Sequence, residues 1–305
     1  MDARSRVVAT PLRRLIFTLV LFGLTCRLAE ESGRCATYRT RNFVVQAESA
    51  AAARKIAEHA ETCRSAIAIA WLEKELPPWK TPCPVRVKLT QGDAGGATSF
   101  GFGAKGVNDQ EMTLEGRLDR ILASALPHEI THTIFAEHLG KPMPRWADEG
   151  ASLLSEDLLE LKRHDKIVQD LLTRRGDYTL SKLFQVEEYP RDLMGFYGQG
   201  YSVSRFLVEI GGRPRFLAFI RDGMNKNWDE STRVHYGFSG VKELDRGWRA
   251  WHDVVVADPN HSKLQTSPLV VRFSPRRGDR IDDSQSDQDR SADEESTRVA
   301  ARSDD

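Results

Sequence analysis

The residues best suited to chemistry form a short cluster in the middle of the chain, His128-Glu129-Ile130-Thr131-His132. Two histidines at positions i and i+4 share one face of a helix, so both imidazoles can point at one ion. Catalytic zinc takes three protein ligands, often two histidines and a glutamate, and keeps one position for water. The spacing therefore predicts a metal site with His128 and His132 as ligands.

Two glutamates complete the predicted site. Glu149 lies in the first turns of the next predicted helix, where the helix dipole favours an anion. It is the candidate third ligand, and an ordinary first-turn acid is the alternative. Glu129 can reach a metal-activated water and act first as general base and then as general acid. We therefore expect one zinc ion per chain. The alternative is an accidental H-E-x-x-H motif on a surface helix with two solvated histidines.

Two helices must position these side chains. Apolar residues recur at helical spacing through residues 122–135, and Pro127 should kink this helix or mark its first turn. Pro142 and Pro144 then punctuate a short connection. Beyond it, leucines at helical spacing predict a single amphipathic helix over residues 146–161.

These stretches carry a family resemblance. HEITH at residues 128–132 and PRWADEGAS at residues 144–152 resemble the H-E-x-x-H and W-x-x-E-G motifs of gluzincin metallopeptidases. That group includes the leukotriene-hydrolase type of aminopeptidase and exported bacterial peptidase MA-like proteins. Residues 196–207 resemble the tyrosine helix of the same enzymes, in which the position matching Tyr197 donates a hydrogen bond to the oxyanion. Tyr201 shares a helical face with Tyr197 and is the alternative donor.

The resemblance covers about residues 43–252 and implies an activity. It implies a zincin-like fold and zinc-dependent hydrolysis of peptide bonds, with Glu129 as general base. Asp148 or Thr131 is expected to contact the metal ligands from outside. The chain lacks a G-A-M-E-N-type stretch, which the aminopeptidases use to hold a free amino terminus. The resemblance therefore leaves both endopeptidase and exopeptidase action open.

A glycine-rich segment precedes the motif helix and is the candidate substrate-binding element. In gluzincins an edge strand beside the active helix binds the peptide backbone by strand addition, and residues 97–102 stand at the matching place in the chain. The predicted contacts are Ala97, Thr98, Ser99 and Phe100. A plain glycine-rich turn is the alternative. Residues 101–106 also match G-x-G-x-x-G, but a strand rather than a helix should follow, which argues against a dinucleotide site.

The remaining pattern predicts an α+β fold. Strands are expected at residues 42–47 and 84–90 and in a hairpin over residues 97–115, with a long Ser49-capped helix over residues 49–76 between the first two. The second half of the chain is mostly helical. We therefore expect one domain at residues 36–258. It would be a small mixed or antiparallel sheet packed on the motif helix and followed by a mainly helical lobe.

The two ends of the chain differ from its middle. Residues 1–30 combine arginines with a short apolar run, as in a signal peptide or N-terminal anchor, and they predict an exported protein. Lipidation at Cys26 is an alternative, and either anchor would allow membrane association. An oxidising compartment would permit a disulfide, for which Cys63 and Cys83 are the preferred pair with Cys35 left over. The composition changes from about residue 259, and residues 276–305 have almost no apolar side chains, which predicts a disordered polar tail over residues 259–305.

Composition limits the partners. Lys+Arg and Asp+Glu both number 44, so the net charge is zero, and the sequence shows no basic patch of the kind that binds nucleic acid. The resemblance to metallopeptidases implies a peptide or protein substrate. Two other hypotheses remain: a catalytically silent zincin-like protein that binds a peptide or cell-envelope partner, and an envelope interaction protein without metal. The intact Glu129 favours the enzyme, because a structural metal site has no use for a base.

Overall fold

The computed structural model describes residues 35–103 and 106–257. The predicted leader at residues 1–30, including Cys26, and the predicted tail at residues 259–305 lie outside the described residues. Within the described residues, no helix has the length and apolar character that a membrane span requires.

Strands from the first half of the chain form one mixed sheet. The strands are β1 Ala36–Arg39, β2 Phe43–Ala47, β3 Cys83–Leu89, β4 Gly95–Gly103 and β5 Gly106–Gly116. Their order in the sheet is β1-β2-β3-β5-β4. The β1/β2 and β4/β5 pairs are antiparallel, whereas β3 runs parallel to both β2 and β5. The predicted strands and hairpin are therefore confirmed.

Helix α1, Ala50–Leu72, packs against β1 and β2 of this sheet. Ser49 caps its first turn, because its side chain accepts a hydrogen bond from the Ala52 amide. The apolar stripe that includes Ile56 and Trp71 is fully buried, as predicted for a core face. The helix ends earlier than expected, since Glu73 adopts a left-handed conformation and closes the last turn.

The motif lies in a helical run of three segments: α2, Leu118–Arg120; a π-helical turn, Ile121–Ala125; and α3, Leu126–Leu139. In the π turn the Leu126 amide bonds to the Ile121 carbonyl, five residues back. Pro127 then falls in the first turn of α3, directly after the π turn; because the helical run is continuous there, its missing N–H leaves one helical hydrogen bond unmade. This is one of the two positions predicted for Pro127. Helix α3 packs against α1, β4 and β5.

The second half of the described chain is helical. One prediction is wrong here, because the expected helix over residues 146–161 is two helices with a turn at residues 154–157. Asp157 starts the second helix by accepting a hydrogen bond from the Glu160 amide. The bounds are α4 Arg145–Leu153, α5 Leu158–Thr173, α6 Leu180–Leu183, α7 Leu193–Gly211, α8 Arg213–Asn225, α9 Trp228–Tyr236 and α10 Val241–Ala257.

The fold is therefore of the α+β class, with the sheet in the first half and helices in the second. Helix α4 joins the two, since it packs against both α3 and α7. The apolar side chains of the sheet, of α1 and α3, and of the later helices form one continuous buried cluster. This shared core fixes α3, α4 and α7 relative to one another.

The predicted disulfide is wrong. No bond joins Cys63 on α1 to Cys83 at the start of β3. Both thiols are fully buried, where cysteine packs as a small apolar side chain. Burial raises the pKa of Cys83 to about 12, which keeps its thiol protonated.

Candidate metal centre

The two histidines of α3 lie one turn apart and face the same neighbour on α4. Their ring centroids are 4.8 Å apart. The Oε2 atom of Glu149 lies 3.5 Å from His128 Nε2 and 3.8 Å from His132 Nε2. One ligand atom from each residue falls within 4.8 Å of the others. Two imidazole nitrogens and one carboxylate oxygen are a donor set that catalytic zinc takes, so these residues fit the ion.

Each histidine is held by a second carboxylate on its other ring nitrogen. His128 Nδ1 lies 2.7 Å from Glu156 Oε1, and His132 Nδ1 lies 2.8 Å from Asp148 Oδ1. An ionised carboxylate only accepts hydrogen bonds, so each Nδ1 carries a proton, and Nε2, which faces Glu149, is the nitrogen that a metal could take in place of a proton. Of the two residues expected to support the ligands, Asp148 does so. Thr131 instead bonds to the Pro127 carbonyl at 2.8 Å.

The electrostatics of the cluster favour a cation. Burial acts to lower the pKa of both histidines, but the surrounding carboxylates outweigh it. The pKa of His132 rises to about 9 beside Asp148 and Glu149, and that of His128 rises well above its ordinary value. Burial acts to raise the pKa of Glu149, yet the two imidazoles hold it at about 2. The cluster thus gathers negative charge around the Nε2 atoms, an arrangement that stabilises positive charge placed between them.

Glu129 is buried beside the ligands and held by the sheet. Its Oε2 accepts a 2.6 Å hydrogen bond from Thr98 Oγ1 on β4. A Cβ atom at Gly96 would come within 2.7 Å of Glu129 Cγ, so glycine is what lets β4 approach this closely. Burial raises the pKa of Glu129, while the neighbouring imidazoles oppose the shift. A buried carboxylate with a raised pKa is suited to accept and return a proton.

The predicted substrate-binding residues lie on β4 at the edge of the sheet. β4 pairs with β5 on one side, and no other described strand pairs with its outer side. Thr98 reaches Glu129, and the β4/β5 register shifts between Ser99 and Gly101. Phe100 packs edge-on against Phe102, with ring centroids 5.4 Å apart. The structure thus places an open strand edge next to Glu129.

The two candidate tyrosines of α7 have different surroundings. The ring centroid of Tyr197 lies 6.1 Å from that of Tyr189, which bonds to Glu149, so Tyr197 adjoins the candidate ligands. Burial and the charge of Glu149 raise the pKa of Tyr197. Tyr201 is fully buried, and its hydroxyl contacts Asp165 at 3.2 Å and Arg205 at 3.0 Å. The Tyr201 hydroxyl is therefore bonded to residues outside the site, and Tyr197 is the one of the pair that adjoins the site.

The contacts of Glu156 and Tyr189 with the cluster were missed from the sequence, as was that of Ser152 Oγ with His132 Nδ1 at 3.2 Å. Glu156, which contacts His128, was placed inside a predicted helix. The acidic residues before Leu158 are a helix-start signal that could have revealed the turn. Tyr189 donates a 2.7 Å hydrogen bond to Glu149 Oε1 from the connection between α6 and α7. No local pattern marks Tyr189, because the connection folds back onto α4 through tertiary contacts.

No family model, curated protein or solved structure matched the chain. Assignment of a function therefore depends on the residues of the cluster and on their geometry.

Proposed function

We propose that this protein is a zinc-dependent peptidase with a zincin-like fold, similar to the gluzincins. One observation carries the proposal: His128, His132 and Glu149 converge on one point, while the buried Glu129 beside them is held by Thr98. A structural zinc site is normally closed by four protein ligands, whereas three ligands with an adjacent carboxylate suit catalysis. The leader at residues 1–30 supports an exported location.

Each residue of the cluster has a separate role in the proposed hydrolysis. Zinc, when bound, would supply Lewis-acid activation of water and of the substrate carbonyl. Glu129 takes a proton from the attacking water and delivers it to the leaving nitrogen as the carbon–nitrogen bond breaks. Tyr197 donates a hydrogen bond to the carbonyl oxygen as negative charge develops there. Asp148 and Glu156 keep the imidazoles oriented throughout.

The open edge of β4 is the proposed docking site for the peptide backbone. An extended segment added to β4 would make main-chain hydrogen bonds, which hold a peptide without reading much of its sequence. Thr98 lies on this strand and also holds Glu129 Oε2. The strand would therefore align the substrate backbone and the base within the same few residues.

Metal content tests the proposal directly. The full chain, purified without added metal, is expected to contain one zinc ion by elemental analysis. Glu149→Ala removes one of three ligands, so its zinc should fall to a trace. Glu48→Ala, at an exposed acid before α1, is the control and should retain the metal. Wild-type protein that neither contains zinc nor takes it up would refute the metal site and, with it, the peptidase.

A separate prediction concerns Glu156. Replacing it with glutamine keeps the side-chain shape but removes the charge that faces His128 Nδ1, so the imidazole becomes a weaker donor to the metal. We expect zinc affinity to fall about tenfold, at the lower end of the effect of such supporting residues. Competition with a chelating dye measures it. Glu160→Gln, on the next turn and bonded to Arg120, is the control, and equal losses in both variants would argue against the role.

A further inference from the structure

Tyr189 occupies an unusual position for an aromatic residue at the site. It lies in the connection between α6 and α7, and 42% of its surface is exposed. Burial in the core therefore does not hold this side chain. Its ring instead lies over the Arg145 guanidinium, with 4.1 Å between the guanidinium carbon and the ring centroid. A cation over an aromatic face is attracted by the ring quadrupole.

Arg145 also fixes the backbone of the same connection. Its Nε donates a 2.5 Å hydrogen bond to the Glu187 carbonyl, two residues before Tyr189. Arg145 and Glu149 are four residues apart on α4 and therefore lie on one face. The Tyr189 ring thus spans one turn of α4, with its face on Arg145 and its hydroxyl on Glu149.

The two oxygens of Glu149 consequently have different partners. Oε1 accepts the 2.7 Å hydrogen bond from the Tyr189 hydroxyl, and Oε2 faces the Nε2 atoms of His128 and His132. The terminal torsion of a glutamate is broad, so an unanchored carboxylate can present either oxygen or both. A neutral donor fixed on one oxygen leaves the other for the metal.

We infer that Tyr189 is a positioning residue of the metal site, which holds Glu149 so that it binds through Oε2 alone. The inference rests on the proposed function, since it concerns the same zinc ligand. It assigns Tyr189 a role distinct from that of Tyr197: Tyr189 orients the ligand, and Tyr197 donates to the substrate. The Arg145 stack is what lets an exposed tyrosine keep one orientation.

Zinc affinity of the full chain tests the inference. Tyr189→Phe keeps the ring on Arg145 and removes only the hydroxyl, and it is expected to weaken zinc binding about 10–100-fold, as measured by competition with a chelating dye. Tyr38→Phe is the matched control. Tyr38 lies on β1, the opposite edge strand from β4, and its hydroxyl contacts the Glu58 carboxylate at 3.5 Å. Its removal should not change the zinc affinity.

Cobalt substitution gives a second readout that a general loss of stability would not produce. A carboxylate free to bind through both oxygens raises the coordination number, so visible absorption per bound Co²⁺ should weaken in Tyr189→Phe and not in Tyr38→Phe. Arg145→Gln, which leaves the hydroxyl in place and removes the cation under the ring, should shift both readouts the same way by a smaller factor.

The possible failures are distinguishable. Wild-type zinc affinity and an unchanged cobalt spectrum in Tyr189→Phe would overturn the role of Tyr189 and leave the metal site standing. Absence of zinc binding in the wild type would overturn the proposed function itself. Should Tyr189→Phe not fold, unchanged zinc affinity and an unchanged cobalt spectrum in Arg145→Gln would still overturn the positioning role of Tyr189.

Discussion

Glu129→Gln is expected to lower turnover by about 10²–10⁴-fold, the range for loss of a general base, while the zinc content stays at the wild-type level. Glutamine has the same shape, and its carbonyl oxygen can still accept the 2.6 Å hydrogen bond from Thr98. It cannot take a proton from water near neutral pH. The substitution therefore removes proton transfer and leaves the packing of β4 on α3 in place.

The measurement needs a substrate, which a digest of a peptide library by the wild-type chain would provide. Turnover is then compared at equal zinc occupancy. Glu137→Gln is the matched control, because Glu137 lies on the same helix but accepts its hydrogen bond from Trp79 Nε1 at 2.7 Å. It should keep wild-type turnover. Undiminished turnover in Glu129→Gln would show that another group moves the proton.

The shared face of the two histidines could be predicted because its geometry is local, whereas Glu149 was joined to them by the gluzincin resemblance. The i, i+4 relation between His128 and His132 is a property of any helix, and an acid in the first turns of α4 needs only the helix itself. The α1 cap at Ser49 and the hairpin were predictable for the same reason. What the local pattern leaves open is which side chains other elements bring against these residues.

The break between α4 and α5 shows what apolar periodicity alone does not predict. Leu153, Leu154, Leu158 and Leu161 continue at helical spacing across it, so the periodicity favours one helix. The turn has a local signal, since Asp157 caps α5, and a tertiary contact, since Asp157 also receives the Arg120 guanidinium at 2.5 Å. The same turn carries the carboxylate that contacts His128, and that contact depends on tertiary packing that no local pattern marks.

The cysteines were misjudged because compartment says nothing about distance or environment. An oxidising location permits a disulfide but does not require one. Cys63 and Cys83 are both fully buried in the core, and burial raises the pKa of Cys83, which favours its protonated thiol. An element-level prediction that places two cysteines near one another cannot establish that their sulfurs meet in bonding geometry.

Gly200→Ala is expected to cost about 2–3 kcal/mol of unfolding free energy, the upper range for overpacking. Helices α4 and α7 cross at Gly150 and Gly200, and a Cβ at either glycine would overlap backbone atoms of the other helix. For Gly200 the overlap is with the Trp146 carbonyl oxygen, which is part of α4 and cannot move away alone. Denaturant-induced unfolding measures the cost.

Gly198→Ala is the control on the same helix. Its Cβ would meet the Ile167 Cγ2 methyl at 2.9 Å, so a side chain rather than the backbone of another helix must shift, and we expect a smaller cost. Alanine also gains about 1 kcal/mol of helix propensity over glycine in both variants, so the difference between them isolates the backbone clash. Equal stability of the two variants would contradict the close crossing.

The crossing also ties stability to the site. Glu149 directly precedes Gly150 on α4, and Tyr197 lies one turn before Gly200 on α7. Forcing the helices apart must therefore separate the third ligand from the phenol that would face the substrate. Gly200→Ala protein that remains folded should lose more turnover than zinc affinity, because Glu149 keeps its place on α4 beside α3 whereas α7 moves. An equal loss of both would mean that α4 is displaced with α7.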